Sequence, residues 1–587
     1  MRAALLPKTG SHMRPPLPRP LRAASALLLA VGTACTPAEP SDTGAEAPFF
    51  PPQNRPDVRG THGAVVSDHP LASAAGYRVL LEGGNAVDAA IAMAGVLSVV
   101  RPHMNGVGGD AFVFVYEAGT GALHTLNGSG RAGALATPGF FGEADAIPET
   151  GPLTVSVPGA VRAWTDLHDR FGTRPLGQLL APAVGYARDG FPVSTRLAAD
   201  FEAQGAALDE TGRALFLPDG APPPVGALLR NPALATTLER IGREGADGFY
   251  RGPVARALAD FLEERGGYLR APDFAGHTST WVEPLTVEYL DHTVHAFPPN
   301  TQGPAQIQMM EMAKSFAMNE MGHNTSSYLH HLVEAKKLAF ADRDRWVADP
   351  DVADVPTERL LDPAYLAARA ALVDPEHAAW PVPSGIGADG PEGVDPATMD
   401  DGGDTVYLTV VDRDGNAVSW IQSLYAGFGS GLVEPTTGVV LQNRGALFTL
   451  EEGHPNRIAP GKRPFHTLSP LIVLRDGALA FTLGTPGGDS QPQSLLQITN
   501  NMLLFGMPPQ EAIEAPRFRS QAGLRLALED RIPPEVRDEL AALGHDIRVV
   551  PGWTATFGGA QMIRVDPVGG GLTAAADPRR EAYAIAY

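Results

Sequence analysis

Residues 381–404, PVPSGIGADGPEGVDPATMDDGGD, run directly into TVYLTVV at residues 405–411. The first stretch has four prolines, six glycines and few large apolar side chains. It cannot bury enough surface to fold, so it is predicted to be a flexible tether. The second stretch is rich in β-branched and apolar residues, which predicts a strand. A Gly/Asn turn at 412–416 and apolar residues 417–424 complete a predicted β-hairpin.

Thr405 stands at the junction between the tether and the strand. A threonine hydroxyl is a weak nucleophile and needs a nearby base. Cleavage between Asp404 and Thr405 would supply one, because the freed α-amine has a reference pKa of about 8. Gly402 and Gly403 can adopt the backbone conformation that such a cleavage requires. The pattern by itself also fits an ordinary strand residue, so both interpretations stay open at this point.

The composition narrows the class of protein. The chain has 587 residues, 44% of them hydrophobic and 19% charged, which is typical of a soluble globular protein. This length predicts two packed lobes or one large layered domain. The net charge of −21 argues against a nucleic-acid partner, since phosphate binding needs a basic surface.

The first 35 residues are predicted to be an export signal. Five basic residues and no acid accompany an apolar run at 23–31, which is too short to span a bilayer. Cys35 is the only cysteine and follows Gly-Thr-Ala, which resembles a bacterial lipoprotein cleavage site. We therefore expect an exported protein, either a periplasmic or outer-membrane lipoprotein anchored through Cys35 or a plainly secreted one. Residues 36–55 are predicted to be a polar linker.

Coarse patterning predicts an alternation of helices and strands from residue 60 onward. Asn85 is a predicted N-cap for an alanine-rich helix, and residues 111–116 form a predicted strand. Residues 150–380 are predicted to be mostly helical, for example at 254–264 and 326–342.

Several other chemistries are disfavoured. His330 and Glu334 lie four residues apart on a predicted helix, but the absence of an evident third ligand favours a solvated helix face over a metal site. We expect neither a metal nor another cofactor. The glycines of 106–109 lack the spacing of a dinucleotide fingerprint and precede a strand. No Gly-x-Ser-x-Gly occurs, which removes the commonest serine-hydrolase motif.

Nine stretches from residue 82 to residue 489 together resemble the gamma-glutamyltransferase family of N-terminal-nucleophile hydrolases. They are EGGNAVDAAIA (82–92), NGVGGDAF (105–112), VPGAV (157–161), WVEPL (281–285), PPNTQG (298–303), TVVDRDGNAVS (409–419), FGSG (428–431), GKRPFHTLSP (461–470) and GTPGGD (484–489). The resemblance implies an α+β fold, the four-layer αββα sandwich, cut from one precursor into a large subunit (56–404) and a small catalytic subunit (405–587) that stay associated.

The resemblance also implies roles for catalytic residues. Thr405 matches the nucleophile and the new N-terminus, and Thr409 matches a hydroxyl residue on the same face of the strand. Ser423 matches a threonine that hydrogen-bonds the nucleophile. Gly487 and Gly488 match the pair whose N–H groups form the oxyanion hole, a task that needs close backbone approach.

The predicted substrate site departs from the family pattern. His466 and Thr467 match two serines that hold a substrate carboxylate. Asn443 and Arg444 open a segment in which the family acid that holds the donor amine is replaced by Leu447.

A second departure concerns the family arginine that grips the substrate carboxylate. This arginine aligns with Ser129, and the nearest cation is Arg131. Cations without a matching anion suggest a substrate that carries a carboxylate but no amine close to it.

The expected activity is hydrolysis or transfer of a γ-glutamyl or related carboxylate-bearing acyl group from a small amide or peptide, through an acyl-enzyme on Thr405. Motifs such as QNRG and GKRPFHTL resemble a bacterial branch that includes oxamate amidohydrolases and cephalosporin-type acylases. An amide of either kind is therefore an alternative substrate. A non-catalytic surface lipoprotein that binds ligands is the alternative from another class.

Overall fold

The computed structural model describes residues 55–387 and 404–587, which belong to one compact unit. The predicted export signal with Cys35, residues 36–54 of the linker, and residues 388–403 of the predicted tether lie outside the described residues.

The strands follow one another along the chain in short segments. Their bounds are β1 (Val58–Gly60), β2 (Ala64–Ser67), β3 (Asp110–Glu117), β4 (Ala122–Gly128), β5 (Phe191–Pro192), β6 (Leu228–Leu229), β7 (Thr280–Val282), β8 (Leu285–Tyr289), β9 (His292–Ala296), β10 (Asp404–Val411), β11 (Ala417–Tyr425), β12 (Val433–Glu434), β13 (Val439–Val440), β14 (Leu471–Arg475), β15 (Ala478–Gly484), β16 (Phe518–Ser520), β17 (Arg525–Glu529), β18 (Asp546–Val550), β19 (Gln561–Val565), β20 (Leu572–Ala576) and β21 (Tyr583–Ala586).

The helices lie between these strands, and most come before residue 371. Their bounds are α1 (Pro70–Leu81), α2 (Ala86–Val100), α3 (Ala160–Phe171), α4 (Leu176–Asp189), α5 (Thr195–Gln204), α6 (Glu210–Phe216), α7 (Pro232–Glu244), α8 (Asp247–Tyr250), α9 (Gly252–Glu264), α10 (Ala271–Ala275), α11 (Gly303–Ala313), α12 (Met318–Met321), α13 (Ser326–Trp346), α14 (Thr357–Leu360), α15 (Pro363–Ala370), α16 (Ser490–Leu503), α17 (Pro509–Glu514) and α18 (Pro534–Ala542). Within the described ranges, none of these helices is long and apolar enough to cross a membrane.

Two seven-stranded antiparallel sheets form the centre of the molecule. The first sheet has the order β21-β2-β10-β11-β3-β4-β7, and the second has the order β1-β20-β19-β15-β14-β9-β8. Each sheet contains strands from before residue 388 and strands from residue 404 onward. The two parts of the chain are thus interleaved in both sheets.

Strand β10 shows how the sequence builds these layers, because its alternate side chains enter two different cores. Val406, Leu408 and Val410 pack with the helical side of the first sheet. Tyr407 and Val411 point the other way, into the core between the two sheets. A strand buried on both faces needs a nearly continuous apolar run, which is what TVYLTVV provides.

Helices cover the outer faces of both sheets. The alanine-rich α2 is buried along its whole length and packs against β10 and β11. Helices α11, α13, α16 and α17 share a core with the outward side chains of β14 and β15. The order of layers is therefore helix, sheet, sheet, helix, an αββα sandwich.

The structure confirms several predicted elements. Asn85 caps α2 through a capping box with Asp88. Strands β10 and β11 pair as the predicted hairpin. The segment 150–380 is mostly helical, and strands β5 to β9 interrupt it.

One expectation is wrong. His330 and Glu334 are 0% and 2% exposed instead of forming a solvated helix face. Helix α18 packs against α13, and His545, which follows α18, contacts His330. A contact across such a distance in sequence leaves no trace in the periodicity of α13.

Candidate active site

Thr405 is the second residue of the central strand β10. The register between β10 and β11 shifts between Asp404 and Val406, so the strand bulges at Thr405. A bulge leaves one residue outside the ladder and re-aims its side chain. Thr405 is 1% exposed, and its hydroxyl donates a hydrogen bond of 3.1 Å to the Oγ of Ser423 on β11.

Ser423 is the centre of the hydrogen-bond network around Thr405. Its hydroxyl oxygen also accepts from the backbone N–H of Tyr425 at 2.7 Å and from Nη2 of Arg444 at 3.1 Å. Its own O–H donates to the carbonyl oxygen of Asp404 at 2.8 Å. One side chain therefore joins the Thr405 hydroxyl to the carbonyl of the peptide bond that precedes Thr405.

Arg444 is a buried cation that makes no direct ion pair, and the Asp110 carboxyl acts on its charge from a longer range. Its guanidinium donates to Ser423 and, through Nη1, to the Thr467 hydroxyl at 3.0 Å, and it lies 4.6 Å from the centre of the Tyr425 ring. No ion pair joins it to an acid anywhere in residues 55–387 or 404–587. Burial lowers its pKa to about 10, so it stays charged at neutral pH. A buried cation that lacks a partner attracts an anion to this region.

A cavity of about 700 Å³ opens beside this network. Tyr425, Thr467 and Gly488 line it close to Ser423 and Arg444. Ile147, Leu447, Phe448 and Phe465 contribute apolar wall, and Leu447 replaces the acid that the resemblance would place there. The remaining lining residues are Ala144, Asp145, Ala146, Glu149, Arg343, Asp344, Val347, Ala446, Thr449, Leu450, Glu451, His454, Asn456, Asp489 and Arg519.

Gly487 and Gly488 form the turn between β15 and α16. Their φ angles are 124° and 56°, a region that favours glycine, and a Cβ on Gly487 would lie 2.3 Å from the Ser490 Oγ. Their carbonyl groups accept hydrogen bonds, whereas neither amide N–H donates to a protein acceptor within the described part of the chain. These two N–H groups are free to bind a ligand oxygen.

Gln302 connects the two sides of the cavity, a role that the sequence patterns had not revealed. Its Nε2 donates to the carbonyl oxygens of Thr467 and Gly488. Its Oε1 accepts from Nη1 of Arg343 at 2.9 Å, and Arg343 also pairs with Asp489. The Gln302 side chain therefore fixes the glycine turn relative to Thr467. Its position in PPNTQG, just before α11, was the available signal.

Three predicted site residues are absent from the cavity lining and bind other groups of the protein. The Thr409 hydroxyl contacts the Val418 carbonyl and, at 2.6 Å, the Thr482 hydroxyl of the second sheet. The Asn443 amide accepts from the Ala426 N–H and donates to the Glu149 carbonyl, so it holds the backbone. The Arg131 guanidinium instead binds two acids and one carbonyl group, which are Asp349, Asp351 and the Gly461 carbonyl.

His466 is buried against Asp110 and is absent from the cavity lining, unlike its neighbour Thr467. Its Nε2 lies 2.9 Å from Oδ2 of Asp110. The other Asp110 oxygen accepts three N–H bonds, from Gly130, Gly159 and Gln442. Burial and nearby arginines hold the pKa of His466 well below its usual range. The imidazole is therefore neutral and orients the Asp110 carboxyl.

Two packed antiparallel sheets between helical layers, with a buried threonine hydroxyl at the start of a central strand, define an N-terminal-nucleophile hydrolase. A family model described as Gamma-glutamyltranspeptidase matches residues 72–587. The chain belongs to this family.

Three relatives show how far the similarity extends. The chain is 38% identical to the glutathione hydrolase-like YwrD proenzyme of Bacillus subtilis and 37% identical to the oxamate amidohydrolase proenzyme of Klebsiella pneumoniae, in each case over 90% of this chain and 99% of the relative. The crystal structure of cephalosporin acylase from Bacillus halodurans superposes with a TM-score of 0.84 at 36% identity, over 92% of this chain and 99% of that one.

The buried Asp110 carboxyl generates a pH-dependent prediction. Burial raises its pKa from 3.8 to about 7, so the folded state favours the protonated form. The resulting stabilisation is complete below about pH 4 and is lost as the pH rises through about 7. Between about pH 4 and about pH 7, we expect the melting temperature of the wild type to fall relative to that of Asp110→Asn. Above about pH 7, the difference between the two melting temperatures should stay constant. The exposed Asp414→Asn variant is the control, and parallel curves for all three proteins would contradict the prediction.

Proposed function

We propose that the protein is a self-processing amidohydrolase or acyltransferase that forms an ester between Thr405 and the acyl group of a carboxylate-bearing amide. The observation that carries the proposal is the array Arg444–Ser423–Thr405, in which an unpaired buried cation binds the hydroxyl that accepts from the Thr405 hydroxyl. Family membership supports the reaction class, since relatives are described as proenzymes of hydrolases and an acylase.

Self-processing follows from the contacts of Ser423. The Thr405 Oγ attacks the carbonyl carbon of Asp404 and passes its proton to the Ser423 Oγ. Ser423 in turn gives its own proton to the Asp404 oxygen, which develops negative charge. Collapse of this intermediate breaks the C–N bond, protonates the nitrogen and leaves an ester. Water then hydrolyses the ester to the Asp404 carboxylate and a free Thr405.

Turnover reuses the same hydroxyl with a new base. The freed α-amine of Thr405 has a reference pKa of about 8 and accepts the hydroxyl proton near neutral pH. The hydroxyl attacks the substrate amide, and the Gly487 and Gly488 N–H groups stabilise the oxyanion. The amine product leaves with a proton, and water or an acceptor amine then resolves the ester.

The first test of this mechanism follows the fate of the chain. We expect the wild type to migrate as two fragments under denaturing conditions, and the smaller fragment to begin at Thr405 by N-terminal sequencing. Thr405→Ala should stay intact and inactive, whereas Thr405→Ser should still be processed. Ser423→Ala removes the donor to the Asp404 carbonyl and should slow processing by about 10²- to 10³-fold.

Thr405→Ser serves as the folding control, because it keeps a hydroxyl at the same position. Full activity from an intact wild-type chain would exclude the mechanism. Ligand binding that is indifferent to Thr405 would favour the non-catalytic alternative.

The cavity supports an acyl group that carries a carboxylate without an adjacent amine. Arg444 places positive charge behind Thr467, whose hydroxyl it binds and which lines the cavity. Leu447 lines the same cavity and cannot pair with an ammonium group. Glutaryl and oxamate-type amides meet this description, whereas a γ-glutamyl group adds an amine. Five acids line the cavity, which are Asp145, Glu149, Asp344, Glu451 and Asp489. Glu149 and Asp489 both act electrostatically on Tyr425, and Asp489 is already paired with Arg343. Glu149 is therefore the acid best placed to bind that amine.

Three p-nitroanilides test this specificity, because γ-glutamyl, glutaryl and butyryl differ only in the amine and the carboxylate. We expect the wild type to prefer glutaryl over the other two in kcat/KM. Arg444→Gln should remove the preference for glutaryl over butyryl. Rates are expressed per processed chain, so that any effect of the substitution on processing does not alter the comparison. Leu447→Asp should raise the γ-glutamyl to glutaryl ratio by about 10-fold, the equivalent of one ion pair of about 1.4 kcal/mol.

Leu447→Asn is the matched control, because it is polar and uncharged at nearly the same size as Asp. A wild-type enzyme that cleaves only the γ-glutamyl compound would contradict the substrate proposal and leave the Thr405 mechanism intact. In that case Glu149→Gln should abolish the activity.

We also propose that this chemistry takes place outside the cytoplasm, on a protein that is lipidated at Cys35. The support is sequence-based: an apolar run at 23–31 is followed by Gly-Thr-Ala-Cys. Metabolic labelling with a radioactive fatty acid should mark the wild type and spare Cys35→Ala. Labelling of both proteins or of neither would contradict lipidation at this residue, and an unlabelled protein in the culture medium would indicate plain secretion.

A further inference from the structure

A buried cluster of two histidines and one glutamate lies apart from the Thr405 network. His330 and Glu334 face the same side of α13, and His545 joins them from the turn between α18 and β18. One ligand atom from each of the three residues lies within 4.8 Å of the others. The three residues are 0%, 2% and 4% exposed.

The hydrogen bonds around the cluster orient these groups as metal ligands are oriented. The Nε2 of His330 lies 2.7 Å from the Asp374 carbonyl and must donate to it, which leaves the Nδ1 lone pair to accept from the Nε2–H of His545 at 2.9 Å. A metal ion between these two nitrogens would replace that hydrogen, and His545 would carry its proton on Nδ1 instead, an atom that has no hydrogen-bond partner among the described residues. One Glu334 oxygen accepts the Ala379 N–H at 3.1 Å. A backbone carbonyl behind one ring and a backbone amide behind the carboxylate are typical supports of a metal site.

The buried carboxylate of this cluster is already paired with one cation, the Lys337 ammonium. Glu334 is a buried carboxylate, and the neighbouring Lys337 ammonium supplies positive charge at 2.7 Å. Lys337 also donates to the Ala379 carbonyl and keeps that acceptor if it leaves Glu334.

We propose that His330 Nδ1, His545 Nε2 and the Glu334 carboxylate bind a divalent transition metal ion of the zinc type, and that Lys337 takes the place of the ion when it is absent. Two nitrogens and one carboxylate oxygen are a common ligand set for zinc. Nitrogen ligands of a tetrahedral zinc ion lie about 3.3 Å apart, so the 2.9 Å between the two rings must widen by only a few tenths of an ångström.

The site would join parts of the chain that lie on either side of the proposed scissile bond. His330 and Glu334 come before residue 388, and His545 comes after residue 404. Asp374 and Ala379, which contact the ligands, belong to the segment that leads to the predicted tether, and the Ala378 N–H donates to the Leu543 carbonyl at 2.7 Å. The ion would therefore stabilise the contact between the C-terminal end of the large part and the small part. It would have no role in the chemistry at Thr405.

The experiment uses the full chain after dialysis against EDTA. On titration with ZnCl2 we expect one ion per chain and a rise in melting temperature, and on titration with CoCl2 a visible absorption band of a low-symmetry site. His330→Asn and His545→Asn should each weaken zinc binding by at least about 10-fold. His331→Asn is the matched control, because this neighbouring ring bonds only the Ser327 carbonyl in its own helix and should leave binding unchanged.

Lys337→Met provides a second test that keeps all three ligands. Because this variant lacks the competing ammonium, we expect it to bind zinc more tightly than the wild type. This measurement tests the proposal even if the histidine variants fold poorly. Substoichiometric zinc in both the wild type and Lys337→Met would overturn the proposal. Equal zinc content in His330→Asn and His331→Asn would do so too, since that result indicates binding at surface histidines only.

Discussion

A serine hydroxyl has one hydrogen to donate, and at Ser423 the surrounding groups determine where that hydrogen goes. Three donors converge on its oxygen: the Thr405 hydroxyl, the Tyr425 amide and the Arg444 guanidinium. The remaining contact is the carbonyl of Asp404, which must accept the Ser423 hydrogen. The direction of one O–H bond thus couples the threonine, the buried arginine and the peptide bond between them. The proposed processing step depends on that coupling.

The surrounding fold keeps this serine in place by close backbone packing. A Cβ on Gly109 would lie 2.4 Å from the Ser423 carbonyl, and a Cβ on Gly108 would lie 2.0 Å from that of Val440. Gly108 and Gly109 therefore allow the segment just before β3 to approach β13 and β11 closely. Asp110, the first residue of β3, accepts hydrogen bonds from three N–H groups and from the His466 ring. Polar groups buried in this way are stable only when nearly all of them have partners.

Local patterns in the sequence predicted the elements, and the family resemblance predicted most of the contacts around Thr405. The hairpin β10–β11 and the Asn85 cap follow from turn residues, capping residues and apolar periodicity within a few positions. Long-range partners carry no such signal. His466 lies 356 residues from Asp110, Arg131 lies 218 residues from Asp349, and His545 meets a helix 215 residues away. The sequence predicted other environments for His466, Arg131 and His330, because the partner of each is determined by how the layers stack.

Interleaving of the two parts of the chain in both sheets has a consequence for the life of the molecule after cleavage. Strands β10 and β11 lie between β2 and β3, so neither part can form its half of the sheet alone. Before cleavage, refolding is a unimolecular event within one continuous chain. After cleavage it becomes a bimolecular event, and its yield depends on protein concentration. The rate of unfolding should then govern the heat inactivation of the cleaved form, which means that the stability of this form is kinetic. The uncut chain is therefore the form that folds efficiently, and the cleaved form persists because it unfolds slowly.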